Sequence, residues 1–263
     1  MADPREQIEK VRDQFTKQAD AYIRSAQATN EAGLRGLVTL SGAQPGHSAL
    51  DVACGPGFLT MAFAARCASA VGFDATDVFL ERARREAARR AIPNIEFRAG
   101  DAEQLPFADA SFDVVACRAA FHHFARPARV LAEMVRVLKA DGRILVADLV
   151  ASEDAAKAAY QDRIERLCDP SHARALPESE LARILAQEDL ELVARPRSTL
   201  HYSVEEWLDH GGPNEAATRE ILALFEATLD EDRSGLAVRR EEGVLRFSHT
   251  AVAFVARRAP RQG

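Results

Sequence analysis

Two periodicities alternate along the first 150 residues. Ile8, Val11, Phe15, Ala19 and Tyr22 recur at steps of three and four, so the spacing predicts an amphipathic helix ahead of the first strand. A second helix is predicted over 31–40, and the turn SGAQPGHS leads from it into the apolar run ALDVA at 49–53. Further short apolar runs follow at SAVGFD (69–74), IEFRAG (95–100), FDVVAC (112–117) and RILVADLV (143–150). Helical stretches stand between them, around 58–68, over 77–91 and from Pro127 onward, where Val130, Leu131, Met134, Val135 and Leu138 share a face. Asp141-Gly142 is predicted to close that last helix as a C-cap turn. Strands alternating with helices in this way predict a doubly wound, mostly parallel sheet whose ligands gather at the carboxyl ends of the strands.

After residue 150 the pattern changes. Residues 152–168, 177–188 and 204–230 read as helices, LELVARPRSTLHY (190–202) as a strand, and VLRFSHTAVAFVARR (244–258) as a long strand. The architecture expected is α/β, with a seven-stranded sheet, an antiparallel edge hairpin made by the last two strands, and an N-terminal helical lid.

The stretch ALDVACGPG at 49–57 carries the first chemical signal. A buried strand runs into Gly55-Pro56-Gly57 and then into a helix, and glycine there lets bare backbone approach a ligand. A dinucleotide fingerprint would place a third glycine where Thr60 stands, and Pro56 lacks an N–H that a pyrophosphate would use. Asp51, just ahead of the turn, favours a cationic ligand over a phosphate. Asp74, at the carboxyl end of the second strand, is placed to accept hydrogen bonds from both hydroxyls of a ribose.

D-x-A-C-G-P-G, VGFD at 71–74, GDAEQLPFADASFDVV at 100–115 and EMVRVLKADGRILVAD at 133–148 together resemble the motifs of class I S-adenosylmethionine-dependent methyltransferases, in the ubiquinone/menaquinone-biosynthesis-like small-molecule branch. The resemblance spans roughly 49–150. It implies S-adenosylmethionine as cofactor, held by Tyr22, Asp51, Ala53, Gly55, Gly57, Asp74, Ala75, Asp101, Ala102 and Arg118. Within that set it implies that Asp101 accepts from the adenine amino group, that the backbone N–H of Ala102 meets a ring nitrogen, and that Arg118 has a peripheral role beside backbone contacts. Leu105 and Phe107 would add apolar surface near the base. Ala75 departs from the large apolar residue common in the family and implies looser packing there. The implied layout is one methyltransferase domain over 1–263, with a helical lid at 1–40, a cofactor-binding core at 41–150, and acceptor-side cover helices with the last two strands at 151–263.

Methyl transfer from a sulfonium leaves a neutral thioether, so positioning can supply much of the rate and no triad is required. A phenol, amine or carbon acid would still benefit from a base, and His122 and His123, just beyond the fourth strand, are the candidates for catalytic groups. His172, His201 and His249 read as structural or surface residues. Asp148 reads equally as a second base or as a cap for the turn at Ser152.

Composition narrows the partners. The net charge of −6 argues against nonspecific nucleic-acid binding, and the basic run at 81–90 follows a helical period that makes it a solvated face. No N-P-P-Y-like sequence marks a nitrogen-methylating enzyme of bases or amides. Cys54, Cys67, Cys117 and Cys168 form neither a C-x-x-C pair nor a zinc spacing, so no metal is expected and a reduced, cytoplasmic setting is. The N-terminal residues lack the apolar core of a secretory signal, and no run approaches the length of a membrane span. The expected partner is a small-molecule methyl acceptor; oligomeric state leaves no mark on the sequence. The alternatives are a binder of the same cofactor that catalyses a rearrangement or cyclisation without methylation, a nicotinamide-dependent oxidoreductase, and a noncatalytic partner subunit.

Overall fold

The computed structural model describes residues 3–24 and 29–259, the side chains of 21–24 excepted. Helix α1 (Pro4–Arg24) and α2 (Glu31–Leu40) precede five parallel strands. These are β1 (Ser48–Val52), β2 (Ser69–Asp74), β3 (Ile95–Ala99), β4 (Phe112–Arg118) and β5 (Leu138–Val150). Helices α3 (Phe58–Ala64), α4 (Asp77–Arg89) and α5 (Pro127–Val137) connect β1 to β2, β2 to β3 and β4 to β5. The cover follows as α6 (Ala155–Cys168), α7 (Glu178–Ala186), β6 (Leu190–Ala194), β7 (Arg197–Ser203), α8 (Val204–Gly211), α9 (Glu215–Glu226), β8 (Arg239–Glu241) and β9 (Val244–Arg258). None of the described helices is long and apolar enough to cross a membrane.

The sheet runs β3-β2-β1-β4-β5-β9-β6, parallel through β5 and antiparallel where β9 meets β5 and β6. Those seven positions are the expected ones, with the order reversing between β1 and β4. The strand count exceeds expectation by two, because β9 is long enough to pair with β7, the second half of the expected strand 190–202, and with the short β8 along the half that extends past β6. Both faces of the sheet are covered, which is why its strands read as continuous apolar runs. Leu50, Val115 and Ile144 pack against α5 and α7, while Ala49, Val114 and Leu145 pack against α2 and α3. A separate apolar cluster, built on Ile164, Phe225 and Phe247, holds α6, α8 and α9 to the half of β9 that extends past β6.

Three expectations need correction. Asp141-Gly142 is no helix cap, because α5 ends at Val137 and Leu138 is already extended and paired with Phe112. The segment 190–202 is two strands interrupted at Pro196, a residue that cannot donate to a ladder. The segment 204–230 is two helices, since Gly212 closes α8 in a left-handed conformation at φ 61° and Pro213 follows. Among the described residues of 1–40, α1 lies over the carboxyl ends of the strands, while α2 buries Leu34 and Val38 against the sheet.

Candidate functional site

A cleft opens at the carboxyl ends of β1, β2 and β4, where the strand order reverses, and α1 roofs it with Ile8, Val11 and Phe15. Several bonds tie the lid down: Arg12 Nε donates to Ala75 O at 2.9 Å, Gln7 Nε2 donates to His123 O at 3.0 Å and Ser171 O at 2.6 Å, Gln14 and Gln18 donate to Gly211 O, and Arg82 pairs with Asp20. Ile8, Val11 and Phe15 of the stripe that predicted a helix thus face the cleft. Tyr22 lies on α1, and its side chain falls outside the described residues.

The glycine turn is shaped for close approach. Gly55 and Gly57 take φ 53° and 78°, and a Cβ on Gly57 would stand 2.6 Å from Phe97 Cε1. Ala53, at the end of β1, also lies in the left-handed region at φ 55°, as does Ala119 beyond β4 at φ 52°; both line the cleft. A left-handed alanine costs roughly 1–2 kcal/mol, and these two stand where β1 and β4 deliver the chain to the site.

Asp51, Asp74 and Asp101 converge on this cleft from the ends of β1, β2 and β3. Asp51 is buried and accepts from Thr60 Oγ1 at 2.7 Å, so the residue at the missing third glycine serves the carboxylate. Burial raises Asp51 to about 7, against the pull of Thr60 and the positive charge of Arg118. Asp74 accepts from Gly55 N and Thr76 N, each at 2.8 Å, and burial raises it as well. Each oxygen of Asp74 keeps a lone pair for a further donor, which is what the two hydroxyls of a ribose require. Ala75, Ala102 and Arg118 line the same cleft. Leu105 and Phe107 do not line it among the described residues; Phe107 packs edge-on against Phe73 and Phe112 beneath the floor, and Phe73 itself supplies the wall. Carboxylates and a proline-interrupted turn suit a nucleoside bearing positive charge, and they oppose a pyrophosphate.

The paired histidines part company. His123 lines the cleft, edge-on to Phe15 at 5.1 Å, while His122 turns behind it. Both oxygens of Asp148 hold His122, through its Nδ1 at 2.7 Å and its backbone N at 3.1 Å. Asp148 therefore serves His122 rather than the turn at Ser152. Burial works against charge on His122, but the Asp148 carboxylate outweighs it and raises the imidazole, while the same pairing lowers Asp148. Burial, reinforced by the positive charge on His122, lowers His123 to about 4. Its Nδ1 lies 3.0 Å from the carbonyl of Ser171, which can only accept. Nδ1 therefore carries the proton, and Nε2 keeps a lone pair.

The loop at 169–172 gave no readable signal, yet it shapes this wall. Ala173 N and Arg174 N donate to His122 O at 2.9 and 3.0 Å, and His172 pairs with Asp162 at 2.8 Å. His249 lies 3.0 Å from Glu165, out of line for a hydrogen bond, and Glu165 is lowered to about 2 because the pull of His249 exceeds the effect of burial. His172 and His249 are both buried, so the surface reading fails for them; His201 donates or accepts at Ser248 Oγ, 2.9 Å away. No group of three or more His, Cys, Asp or Glu among the described residues is arranged to hold a metal ion.

Comparison with known proteins adds three findings. A family model described as a methyltransferase domain matches residues 50–146. An uncharacterized methyltransferase of Bacillus subtilis, YcgJ, is 30% identical over 224 residues, covering 85% of this chain and 88% of the relative, and a demethylmenaquinone methyltransferase of Symbiobacterium thermophilum is 36% identical over 150 residues, covering 54% and 60%. The crystal structure of the Bacillus YcgJ protein superposes with a TM-score of 0.82 at 29% identity, over 87% of this chain and 100% of that one.

Proposed function

Since the chain belongs to the class I S-adenosylmethionine-dependent methyltransferases, we propose that its cleft binds S-adenosylmethionine and presents the methyl group to a small-molecule acceptor beside His123. The observation that carries this reading is the convergence of Asp51, Asp74 and Asp101 with the Gly55–Gly57 turn under one lid helix. Asp74 would hold the ribose and Asp101 the adenine, with Ala102, Ala53 and Ala75 in backbone or van der Waals contact and Asp51 facing the amino-acid end. When bound, the cofactor supplies a methyl group on a positively charged sulfur.

The chain contributes orientation, exclusion of water and a proton acceptor. Ile8, Val11 and Phe15 shut the cleft with apolar surface, so the reacting groups meet out of bulk water. Neutral His123, with its lone pair on Nε2, fits an acceptor that donates through O–H or N–H and orients that group for attack. His122, raised and fixed by Asp148, would act through His123 rather than on the acceptor. The apolar lid over the cleft supports a small acceptor, as does the quinone-type substrate named for the Symbiobacterium relative. The net charge of −6 disfavours nucleic acid. We assign the chain to one methyltransferase domain, with α1 as lid, 41–150 as cofactor core and 151–263 as acceptor cover.

The test is mass spectrometry of S-adenosylhomocysteine formed across a panel of quinols, phenols, polyketides, sterol-like compounds and small amines. Release of S-adenosylhomocysteine with one of them, together with a product heavier by one methylene, is the expected result. A protein that binds the cofactor yet methylates nothing in the panel counts against a small-molecule acceptor.

A further inference from the structure

We infer that Gln7, on the lid helix, is a positioning residue for His123: its side-chain amide holds together the two carbonyls that set the His123 ring, and the acceptor wall takes its working form only with α1 docked. The inference rests on the proposed role of His123 and names a residue that acts through it.

Three segments far apart in the chain meet at one amide nitrogen. Gln7 Nε2 donates to His123 O at 3.0 Å and to Ser171 O at 2.6 Å, across 116 and 164 residues. All three residues are buried, which keeps bulk water from competing for these groups. The amide nitrogen has two protons, and each goes to one carbonyl. Two carbonyl oxygens that face one point repel each other unless a donor stands between them. Without the Gln7 amide the pair would be left buried and unsatisfied, and one of the two would have to move.

The Ser171 carbonyl is the one that bears on the chemistry. It accepts from His123 Nδ1 as well as from Gln7, which uses both of its lone pairs. The Ser171 hydroxyl lies 3.2 Å from the same Nδ1, but its proton goes to Asp169 Oδ1 at 2.6 Å, and towards the ring it too can only accept. Both contacts require the proton on Nδ1 and thereby reserve the Nε2 lone pair for the acceptor. A displaced Ser171 carbonyl would release Nδ1 and let the ring turn or exchange tautomer. The lid reaches the ring a second time through Phe15, about two helical turns further along α1, which stands edge-on to it at 5.1 Å. Elsewhere α1 is fastened independently, by Arg12 to Ala75 O and by Gln14 and Gln18 to Gly211 O. A change at Gln7 therefore disturbs the His123 junction without releasing the helix.

Nitrogen-15 NMR of histidine-labelled protein reads the tautomer, the His123 signals being those lost in His123→Ala. Wild type is expected to show His123 protonated at Nδ1 and bare at Nε2. Gln7→Met, which keeps the side-chain length and has no donor, is expected to show a second population protonated at Nε2. Gln7→Glu, which aims lone pairs at the same carbonyls, is expected to populate that form further. With an acceptor from the metabolite panel, Gln7→Met is expected to lower the turnover number by about 10-fold while binding S-adenosylhomocysteine within about twofold of wild type. In a His123→Ala background the same substitution is expected to lower turnover by no more than about twofold, because the group it positions is gone. A His123 tautomer identical in wild type and both Gln7 variants overturns the inference. So does a full additional loss in the double variant, which would mark Gln7 as a support of the lid alone. Absence of methylation across the panel counts against the function proposed above, whereas the tautomer measurement needs no acceptor and decides the role of Gln7 by itself.

Discussion

Asparagine in place of Asp74 is expected to weaken S-adenosylmethionine binding by about 100-fold or more, because the change removes charge-assisted acceptance from both ribose hydroxyls at once. The loss has a second source. Asp74 accepts from Gly55 N and Thr76 N, and the amide nitrogen of asparagine would face one of those donors with another donor. The turn that brings Gly55 and Gly57 to the ligand would then shift. Titration calorimetry with S-adenosylhomocysteine checks the outcome, and an affinity within about threefold of wild type would contradict the role of Asp74.

The second large effect is on turnover. His123→Ala is expected to lower the turnover number with the true acceptor by about 100-fold, within the usual range for a positioned proton acceptor, and to leave cofactor affinity nearly unchanged. Its pH behaviour follows from the two buried groups that frame the site. Burial and the charge on His122 put His123 near 4, so it stays neutral and able to accept from pH 5 upward and contributes no inflection near neutrality. Asp51 is different. Burial puts it at about 7, and the ammonium of the cofactor needs its ionised form, so cofactor affinity is expected to fall as pH drops below 7, by up to about tenfold per unit. That limb belongs to Asp51 and persists in His123→Ala. Its disappearance in that variant would show that His123 titrates near neutrality and that the division of roles is wrong.

Much of this was legible in the chain. The strand-turn-helix at 49–68 and the acidic residues closing β1 and β2 are local features, and their meaning depends only on what immediately precedes and follows them. The same holds for α1, whose stripe of Ile8, Val11 and Phe15 announces a face that must cover something. What stayed hidden depends on pairing between distant residues. His122 meets Asp148 and His123 meets Ser171 across separations of 26 and 48 residues, so nothing adjacent to the two histidines shows that one is raised and behind the wall while the other is lowered and on it. Thr60 registered only as an absent glycine, although its hydroxyl holds Asp51. The length of β9 was readable, but not that β6, β7 and β8 would all pair along it, because periodicity fixes which face a strand buries and leaves its neighbours open.

A structure of the protein with S-adenosylhomocysteine bound tests the central claim most directly. The ribose hydroxyls are expected within hydrogen-bond distance of Asp74, the adenine amino group at Asp101, the amino-acid end beside Asp51, and α1 closed over the thioether. A nucleoside found outside the cleft beneath α1, or one held there without contact to Asp74 and Asp101, would contradict it.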